Sequence, residues 1–239
     1  MITSKQNETV KYARKLSRKK YRKQENALLI EGLHLLEEAR HHGLLKQTFH
    51  TETSAQFEDG LLISRDVMKH ITDSAHPPKD IGIAHMPPQG SVGQKVLILE
   101  NIQDPGNVGT LIRSALAFGF DSIIIDESAD VFAPKVLRST QGAIFHIGFT
   151  YMDAVTFKEN YPGHMLIGAH LSDTARLNKQ PTPPYALVLG NEGSGLKQST
   201  IARLDASVVI PIATIDSLNV AVAGSIIMHA LYASKPLLG

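Results

Sequence analysis

Five short aliphatic runs in the second part of the sequence constrain the fold most strongly. They are continuous rather than alternating, as expected for parallel strands that are covered on both faces. Because helical patterning lies between them, they predict a doubly wound α/β domain in which ligands bind at the carboxyl ends of the strands. The runs are KVLILEN (95–101), SIIID (122–126), MLIGAHL (165–171), YALVLGN (185–191) and ASVVIPI (206–212). The predicted helices cover 108–118, about 134–142, about 195–204 and 217–233.

A segment rich in proline, glycine and small polar residues, MPPQGSVG (86–93), is typical of a linker. It predicts two domains, 1–88 and 89–239. The first domain alternates short strands with helices, which indicates a smaller α/β module. Its predicted elements are a basic helix at about 7–23, ALLIEG (27–32), a helix around 32–42, LLIS (61–64) and IGIAHM (81–86).

Composition excludes several classes of protein. The 239 residues include no cysteine, which rules out a disulfide scaffold, a thiolate zinc site and a cysteine nucleophile. No apolar run approaches the roughly 20 residues needed to cross a bilayer, and the start lacks the apolar core of a signal peptide. The eleven histidines contain no HExxH pattern. We therefore expect a soluble cytoplasmic protein with no membrane partner and no metal.

The net charge of +1 conceals a basic N-terminus. Between Lys5 and Lys23 nine lysines and arginines stand against a single acid, Glu8. Clustered basic side chains bind RNA phosphates through counterion release, although a solvated helix face is the alternative interpretation. The candidate RNA-binding residues are Lys11, Arg14, Lys15, Arg18, Lys19 and Arg22.

The loop after the first aliphatic run, LENIQDPGNVGTLIRSALAFG (99–119), begins with a turn at Asp104-Pro105-Gly106. Asn107 then stands where a helix N-cap is wanted. Arg113 follows within two turns of that helix N-terminus, which itself attracts anions. The loop predicts either an anion clamp or merely a capped helix with a surface arginine.

Two further loops follow strands of the same predicted sheet. In LVLGNEGSGL (187–196) three glycines flank Glu192, which indicates either ligand recognition by the backbone or only a tight turn. In the loop after 206–212, Ser217 is a candidate N-cap and Asn219 lies in the first turn of the helix that follows. That helix is almost uniformly apolar, so we expect it to be buried in the core or against another chain.

Taken together, these three loops resemble the SpoU (TrmH-type) family of RNA ribose 2′-O-methyltransferases, within the SPOUT superfamily. The matching motifs, in order, are NVGTLIRSALAFG, LVLGNEGSGL and IPIATIDSLNVAVA, which lie within about 97–232. KYARKLSRKKYR followed by ALLIEGLHLLEEA is similar, more loosely, to the substrate-binding domain of the same family. The resemblance implies a C-terminal trefoil-knotted methyltransferase domain with a parallel sheet, S-adenosylmethionine as cofactor, and a homodimer that binds RNA.

The resemblance also implies roles for individual residues. In the family the arginine at the position of Arg113 activates the ribose hydroxyl. Because a guanidinium group is a donor and not a base, we expect Arg113 to grip a phosphate beside the target ribose and stabilise the forming alkoxide. Asn107, Ser217 and Asn219 would hold Arg113 and the ribose, while Glu192 would fix Arg113 or steady the positive sulfonium. The implied cofactor-binding residues are Leu189, Gly190, Gly195, Ile210, Pro211 and Leu218.

The leading hypothesis is thus an S-adenosylmethionine-dependent RNA 2′-O-methyltransferase that acts on ribosomal RNA. Transfer RNA is the nearest alternative substrate. A non-catalytic RNA-binding or ribosome-assembly protein of the same fold is a second class. A nucleotide-dependent enzyme is a third, weakened by the lack of GxGxxG and GxxxxGK[ST] patterns.

Overall fold

The computed structural model describes residues 1–52, 56–72, 74, 76–170, 180–215 and 217–232. The chain divides into two compact units. The first unit consists of Met1–Pro87 and Asp130–Phe145, and the second of Pro88–Ala129 and His146–Gly239. The predicted single division between 88 and 89 therefore differs from the structure in the segment 130–145.

The first unit contains a four-stranded sheet in the order β1-β4-β2-β3. β4 is antiparallel to both β1 and β2, while β3 runs parallel to β2. Aliphatic side chains from the sheet and the helices around it form one core. The elements are α1 (Glu8–Lys15), α2 (Lys19–Glu25), β1 (Ala27–Glu31), α3 (Leu33–His41), β2 (Leu45–His50), β3 (Leu61–Leu62), α4 (Arg65–Thr72) and β4 (Asp80–His85).

The predicted basic helix at 7–23 is wrong in one respect, because the chain forms two helices there. α1 is capped by the Asn7 side chain and ends before Leu16, which is fully buried. Arg18 is extended, with φ −102° and ψ 131°. The Arg22 guanidinium donates hydrogen bonds to the carbonyl oxygens of Leu16 and Ser17 at 2.8 and 2.7 Å, which stabilises the break.

The second unit is built on a six-stranded sheet in the order β10-β8-β9-β5-β6-β7, in which every pairing is parallel. The predicted α/β fold with a parallel sheet is confirmed. The elements from residue 88 onward are β5 (Lys95–Glu100), α5 (Pro105–Ala117), β6 (Ser122–Asp126), α6 (Pro134–Thr140), β7 (Gly148–Tyr151), α7 (Ala154–Asn160), β8 (Met165–Ala169), β9 (Tyr185–Leu189), α8 (Gln198–Ile201), β10 (Ala206–Val208) and α9 (Val220–Tyr232).

All five aliphatic runs contain strands, but their bounds differ from the prediction. β10 stops at Val208 instead of continuing to 212, and α9 begins at Val220 instead of 217. Residues 171 and 233, which the predicted strand and helix included, lie outside the described residues. β7 and α7 were not predicted, since GFTY is short and its strand is only partly buried at the edge of the sheet.

The segment 130–145 joins the first unit through two ion pairs. Arg22 Nη2 lies 2.6 Å from Asp130 Oδ2, and Arg138 Nη1, on α6, lies 2.7 Å from Glu31 Oε2. The side chains of Arg22 and Glu31 are both 4% exposed, so each pair has one member that is shielded from solvent. A linear reading of domain boundaries misses such a segment because its partners lie about a hundred residues away.

Among the described residues, no helix is long and apolar enough to span a bilayer.

Candidate active site

Three of the predicted catalytic residues meet where strands of the parallel sheet end. Asn107 lies on α5, which follows β5, and its Nδ2 donates to Glu192 Oε1 at 3.0 Å. Asn219 lies beyond β10, and its Nδ2 donates to Asn107 Oδ1 at 3.0 Å. Glu192 belongs to the loop after β9, which pairs directly with β5. The sheet topology thus gathers one polar side chain from each of three loops.

Asn107 is not the N-cap of its helix. Asp104 has that role, because its carboxylate accepts a hydrogen bond from the Asn107 backbone N–H at 2.9 Å and Pro105 occupies the first turn. Asn107 consequently lies inside the first turn. Its side chain is therefore available to bridge Glu192 and Asn219.

Asn219, not Ser217, caps the apolar helix. Asn219 Oδ1 accepts hydrogen bonds from the backbone N–H groups of Ala221 and Val222 at 2.9 and 3.3 Å. Its amide nitrogen is left to donate to Asn107, so capping fixes the orientation of both ends of this side chain. Ser217 is exposed and makes no hydrogen bond to another described residue.

Hydrogen bonds stabilise the ionised form of Glu192. Partial burial acts to raise the pKa of this carboxyl, but the Asn107 side chain and backbone N–H groups, including those of Asp104 and Gln103, outweigh it. The net effect holds the pKa of Glu192 below its ordinary value. Glu192 is therefore a fixed negative charge at neutral pH.

Arg113 lies on the same helix as Asn107 but outside this hydrogen-bond network. Its side chain is exposed, and it forms no hydrogen bond or ion pair with another described residue. The expected contact with Glu192 is absent among the described residues, since Glu192 accepts from Asn107 instead. The guanidinium group of Arg113 is thus available to an external anion.

The loop after β9 is closed by its own hydrogen bonds. Asn191 and Gly195 exchange two backbone hydrogen bonds of 3.0 Å each. Asn191 Oδ1 also accepts from the backbone N–H groups of Gly193 and Ser194 at 2.9 and 3.0 Å. Asn191 is not among the residues predicted from the motifs, although an asparagine in a glycine-rich loop is a recognised turn-former.

The close approach of the backbone of Gly195 and Leu196 requires glycine at position 190. A Cβ there would lie 2.4 Å from the carbonyl carbon of Gly195 and 2.6 Å from the nitrogen of Leu196. Gly195 has φ +69°, and no atom lies within 4 Å of the position that its Cβ would take. The first glycine therefore permits closure of the loop, and the second leaves its backbone open to a ligand.

The residues assigned to the cofactor differ in their exposure. Leu189, at the end of β9, is 1% exposed. Ile210 and Leu218 are half-buried, and Pro211 is exposed. Apolar side chains beside an open backbone are what an adenine ring requires, namely a hydrophobic surface with a few main-chain hydrogen bonds. These residues fit S-adenosylmethionine.

Helix α9 carries two apolar faces. One packs on α5 and β9, where Gly224 approaches the side chains of Leu111 and Leu189, and Ser225 Oγ lies 2.8 Å from Ser114 Oγ. The opposite face presents Val222 and Ile226, which are 49% and 44% exposed. These two residues are one turn apart and form a continuous apolar stripe.

The six basic residues predicted to bind RNA lie in different environments. Arg22 is buried and engaged in the ion pair with Asp130, so its side chain is not presented to solvent. Arg14 is half-buried and donates to the carbonyl oxygen of His70. Lys11 is paired with Glu8 at 2.9 Å. Three residues are exposed: Lys15, Arg18 and Lys19.

Comparison with known proteins identifies the family. The model of the SpoU rRNA Methylase family matches residues 94–229, and that of the MRM3-like substrate binding domain matches residues 7–82. The chain belongs to the SpoU rRNA methylase family, which confirms the resemblance seen in its motifs.

Individual relatives match over nearly the whole chain. The 23S rRNA (guanosine(2553)-2′-O)-methyltransferase RlmP of Bacillus subtilis is 35% identical over 96% of this chain and 98% of its own. The AdoMet-bound rRNA methyltransferase from Sinorhizobium meliloti is 28% identical, with a TM-score of 0.81 and 96% coverage of both chains. The SpoU methyltransferase AviRb from Streptomyces viridochromogenes, with AdoMet, shares the fold at 23% identity, a TM-score of 0.81 and 95% and 97% coverage.

Proposed function

We propose that this protein is an S-adenosylmethionine-dependent methyltransferase that methylates the 2′-oxygen of a ribose in RNA, with ribosomal RNA as its substrate class. The observation that carries this proposal is the Glu192–Asn107–Asn219 network on the same sheet edge as the loop that fits the cofactor. RlmP of Bacillus subtilis, which aligns over nearly the whole length, is named for 2′-O-methylation of 23S rRNA. That match favours ribosomal over transfer RNA.

S-adenosylmethionine, when bound, supplies an electrophilic methyl group. The protein must hold the ribose hydroxyl in line with that methyl, because positioning alone supplies several kcal/mol of a barrier. It must also stabilise the negative charge that develops on the 2′-oxygen as its proton leaves. A guanidinium group is suited to this second task, since it remains charged and presents several donors.

Arg113 is the residue to which we assign that task. It is exposed and makes no ion pair with another described residue, so its charge is free to bind the phosphate next to the target ribose. From that position it would also stabilise the forming alkoxide. The proton passes to the phosphate or to water. Because Arg113 supplies the positive charge, the reaction requires no metal.

The other site residues have revised roles. Asn107 and Asn219 hold Glu192 and one another, and not Arg113. The ionised Glu192 carboxylate is then placed to steady the positive sulfonium of the cofactor. Ser217, which is exposed and unbonded to other described residues, is available to contact the ribose. The cofactor itself is held by Leu189, Gly190, Gly195, Ile210, Pro211 and Leu218.

We assign RNA backbone binding in the first unit to Lys15, Arg18 and Lys19, with a lesser contribution from Lys11 and Arg14. The centre of the Tyr21 ring lies 5.9 Å from the ammonium group of Lys15 and 6.0 Å from that of Lys20. Basic side chains around an aromatic ring are typical of surfaces that bind RNA. Arg22 does not belong to this surface because it is buried.

The quaternary part of the proposal rests on α9. Its exposed stripe of Val222 and Ile226 supports a homodimer, because a monomer gains nothing from an apolar helix face in water. From the resemblance to the SPOUT superfamily, we also propose that the chain from β9 to α9 is threaded as a trefoil knot. Because ribosomal RNA is the proposed substrate class, we also propose that the protein acts in the cytoplasm.

Mapping the modified nucleotide tests the function directly. RNA from cells with and without the gene is hydrolysed in alkali, and 2′-O-methylated positions resist cleavage. We expect one or a few ribosomal positions to lose protection when the gene is deleted. Methylated transfer RNA instead would identify the alternative substrate, and no change in either RNA would contradict the proposed activity.

The Arg113→Ala variant tests the assigned chemistry. We expect methyl transfer from labelled S-adenosylmethionine to be abolished, while calorimetry shows cofactor binding unchanged. Loss of cofactor binding would refute the role given to Arg113. A wild-type protein that binds RNA but neither binds nor consumes S-adenosylmethionine would instead indicate a non-catalytic RNA-binding protein.

A further inference from the structure

The first unit contains a cavity of about 440 Å³ that is lined by none of the residues proposed for methyl transfer. Its walls come from the end of β1, the first turn of α3, the chain before β4, and α6 with the residue that follows it. The volume falls within the usual range for small-molecule sites, about 300–1,000 Å³. It is large enough for a nucleotide.

A buried carboxylate without a full set of partners lines this cavity. The Glu31 side chain is 4% exposed, and its Oε2 accepts from Arg138 Nη1 at 2.7 Å. Its Oε1 is buried and has no hydrogen-bond partner among the described residues. Burial raises the pKa of Glu31 in spite of the nearby Arg138 guanidinium. A ligand that brings N–H donors would satisfy this acceptor.

Arg138 gives the cavity a donor beside that acceptor. Its side chain is 47% exposed. With the described residues it makes one hydrogen bond, to Glu31, although a guanidinium group carries five N–H donors. Taken in the order Arg138, Glu31 Oε2 and Glu31 Oε1, the pair therefore has one donor followed by two carboxylate acceptors. Cytosine shows the same order on its Watson–Crick edge. The complementary order, an acceptor followed by two donors, is that of guanine O6, N1–H and N2–H.

The N-terminus of α3 supplies a place for a phosphate. Gly32 is its N-cap, and no side chain caps the helix there. Gly32 has φ +93°, and no atom lies within 4 Å of the position that its Cβ would take. The first residues of α3, Leu33 and His34, line the cavity. Free N–H groups at the start of a nine-residue helix attract anions.

We propose that this cavity binds an unpaired guanine nucleotide of the RNA substrate, distinct from the nucleotide that is methylated. Glu31 accepts from guanine N1–H and N2–H, Arg138 donates to O6, and the attached phosphate lies at the N-terminus of α3. The proposal rests on the proposed function in that it takes RNA as the ligand. The cavity would select among RNA sequences, whereas the exposed lysines and arginines bind any RNA backbone.

Short labelled oligoribonucleotides test the base preference of the full-length protein. The probes are AAGAA, AAIAA and AAAAA, where I is inosine, which lacks the N2 amino group. Fluorescence anisotropy should show that AAGAA binds about tenfold more tightly than AAAAA, with AAIAA between them. Equal affinities for the three probes would overturn the proposal.

Two variants test whether a preference for guanine arises at this cavity. Glu31→Gln should abolish the preference for AAGAA and leave the affinity for AAAAA unchanged. Because Glu31→Gln also breaks the ion pair with Arg138, Ser74→Trp provides a second route, since it fills the cavity from its rim and leaves that pair in place. It should abolish the preference as well. A preference for guanine that survives Ser74→Trp would contradict the assignment.

Ser4→Trp is the matched control. Ser4 Oγ accepts from the N–H of Gln6 at 3.2 Å, as Ser74 Oγ accepts from the N–H of His76 at 3.2 Å, and Ser4 does not line the cavity. It should retain the guanine preference. Methyl transfer is measured on the same preparations. If the protein methylates RNA but does not prefer guanine, only the guanine-binding role of the cavity is refuted. If it prefers guanine but does not methylate RNA, only the proposed function is refuted.

Discussion

The Asn107 side chain, in the first turn of α5, donates a hydrogen bond of 3.0 Å to Oε1 of Glu192, which lies 85 residues further along the chain. At its other end it accepts one from Asn219. An amide suits this position because it offers both a donor and an acceptor. Neither a carboxylate nor an aliphatic side chain could bridge a charged acceptor on one side and a capping asparagine on the other.

Asn107→Asp should therefore impair methyl transfer. The new carboxylate would face Glu192 without a proton to donate, so the two like charges would repel one another and the pKa of Glu192 would rise. Loss of a hydrogen bond to a charged group predicts a fall of about tenfold to a hundredfold in kcat. Steady-state kinetics with labelled S-adenosylmethionine measure it. Asn160→Asp, at the exposed end of α7, is the control and should leave kcat unchanged. An unchanged kcat in Asn107→Asp would refute the role of this bridge.

Gly190→Ala should disrupt the loop after β9. The added methyl carbon would overlap backbone atoms of Gly195 and Leu196, and backbone cannot move aside as the end of a flexible side chain can. We expect a loss of about 1–3 kcal/mol in the free energy of unfolding and weakened binding of S-adenosylmethionine by calorimetry. At Gly193 the nearest atom to a new Cβ is Asn191 Oδ1 at 3.6 Å, so Gly193→Ala should leave both quantities nearly unchanged. Normal cofactor affinity in Gly190→Ala would remove this loop from the cofactor site.

Substitutions at Arg22 and Arg18 should have different effects, one on the stability of the first unit and the other on RNA affinity. Arg22→Met removes the partner of Asp130 and the donor to Leu16 and Ser17, so it should destabilise the first unit by about 3–5 kcal/mol in urea unfolding. Arg18→Met alters an exposed side chain and should leave stability unchanged.

The same pair gives a second readout in RNA binding. Arg18→Met should weaken RNA binding and reduce the slope of log affinity against log salt by about one. A nearly flat salt dependence in the wild type would show that this surface does not contact RNA. Destabilisation by Arg18→Met, or none by Arg22→Met, would contradict the placement of the two side chains.

The contrast between these two arginines shows what the sequence could and could not predict. The parallel strands were predictable because runs such as VLIL (96–99) and ALVL (186–189) are continuously aliphatic, as strands covered on both faces require. The grouping of Asn107 and Glu192 followed from that topology. Burial of Arg22 could not be predicted, since it depends on Asp130, 108 positions away. The capping role of Asn219 could not be predicted either, because capping depends on where the first helical turn starts.

Ile226→Glu should convert the proposed homodimer into a monomer. Ile226 is 44% exposed on the outer stripe of α9, and a charged side chain there would have to be desolvated in an interface between two copies of the helix. Light scattering after size-exclusion chromatography measures the mass of the wild type and the variant. Ala202→Glu, an exposed position just after α8, should not change it. A monomeric wild type, or a variant that remains dimeric, would refute the assigned interface.

Asp153→Ala should destabilise the second unit in a pH-dependent way. Asp153 caps α7 by accepting hydrogen bonds from the backbone N–H and the hydroxyl of Thr156 at 2.8 and 2.7 Å, which lowers its pKa. Loss of an N-cap costs about 1 kcal/mol in the free energy of unfolding.

A carboxyl whose pKa is lowered by folding stabilises fully above its unfolded pKa of about 3.9, and that stabilisation is lost as the pH falls through the folded value. Urea unfolding from about pH 7 to about pH 3 should therefore show the gap between wild type and Asp153→Ala closing in acid. Asp153→Asn is the control, because asparagine caps about as well as aspartate and does not titrate. A gap that is constant down to the lowest pH would mean that the carboxylate charge contributes nothing to this cap.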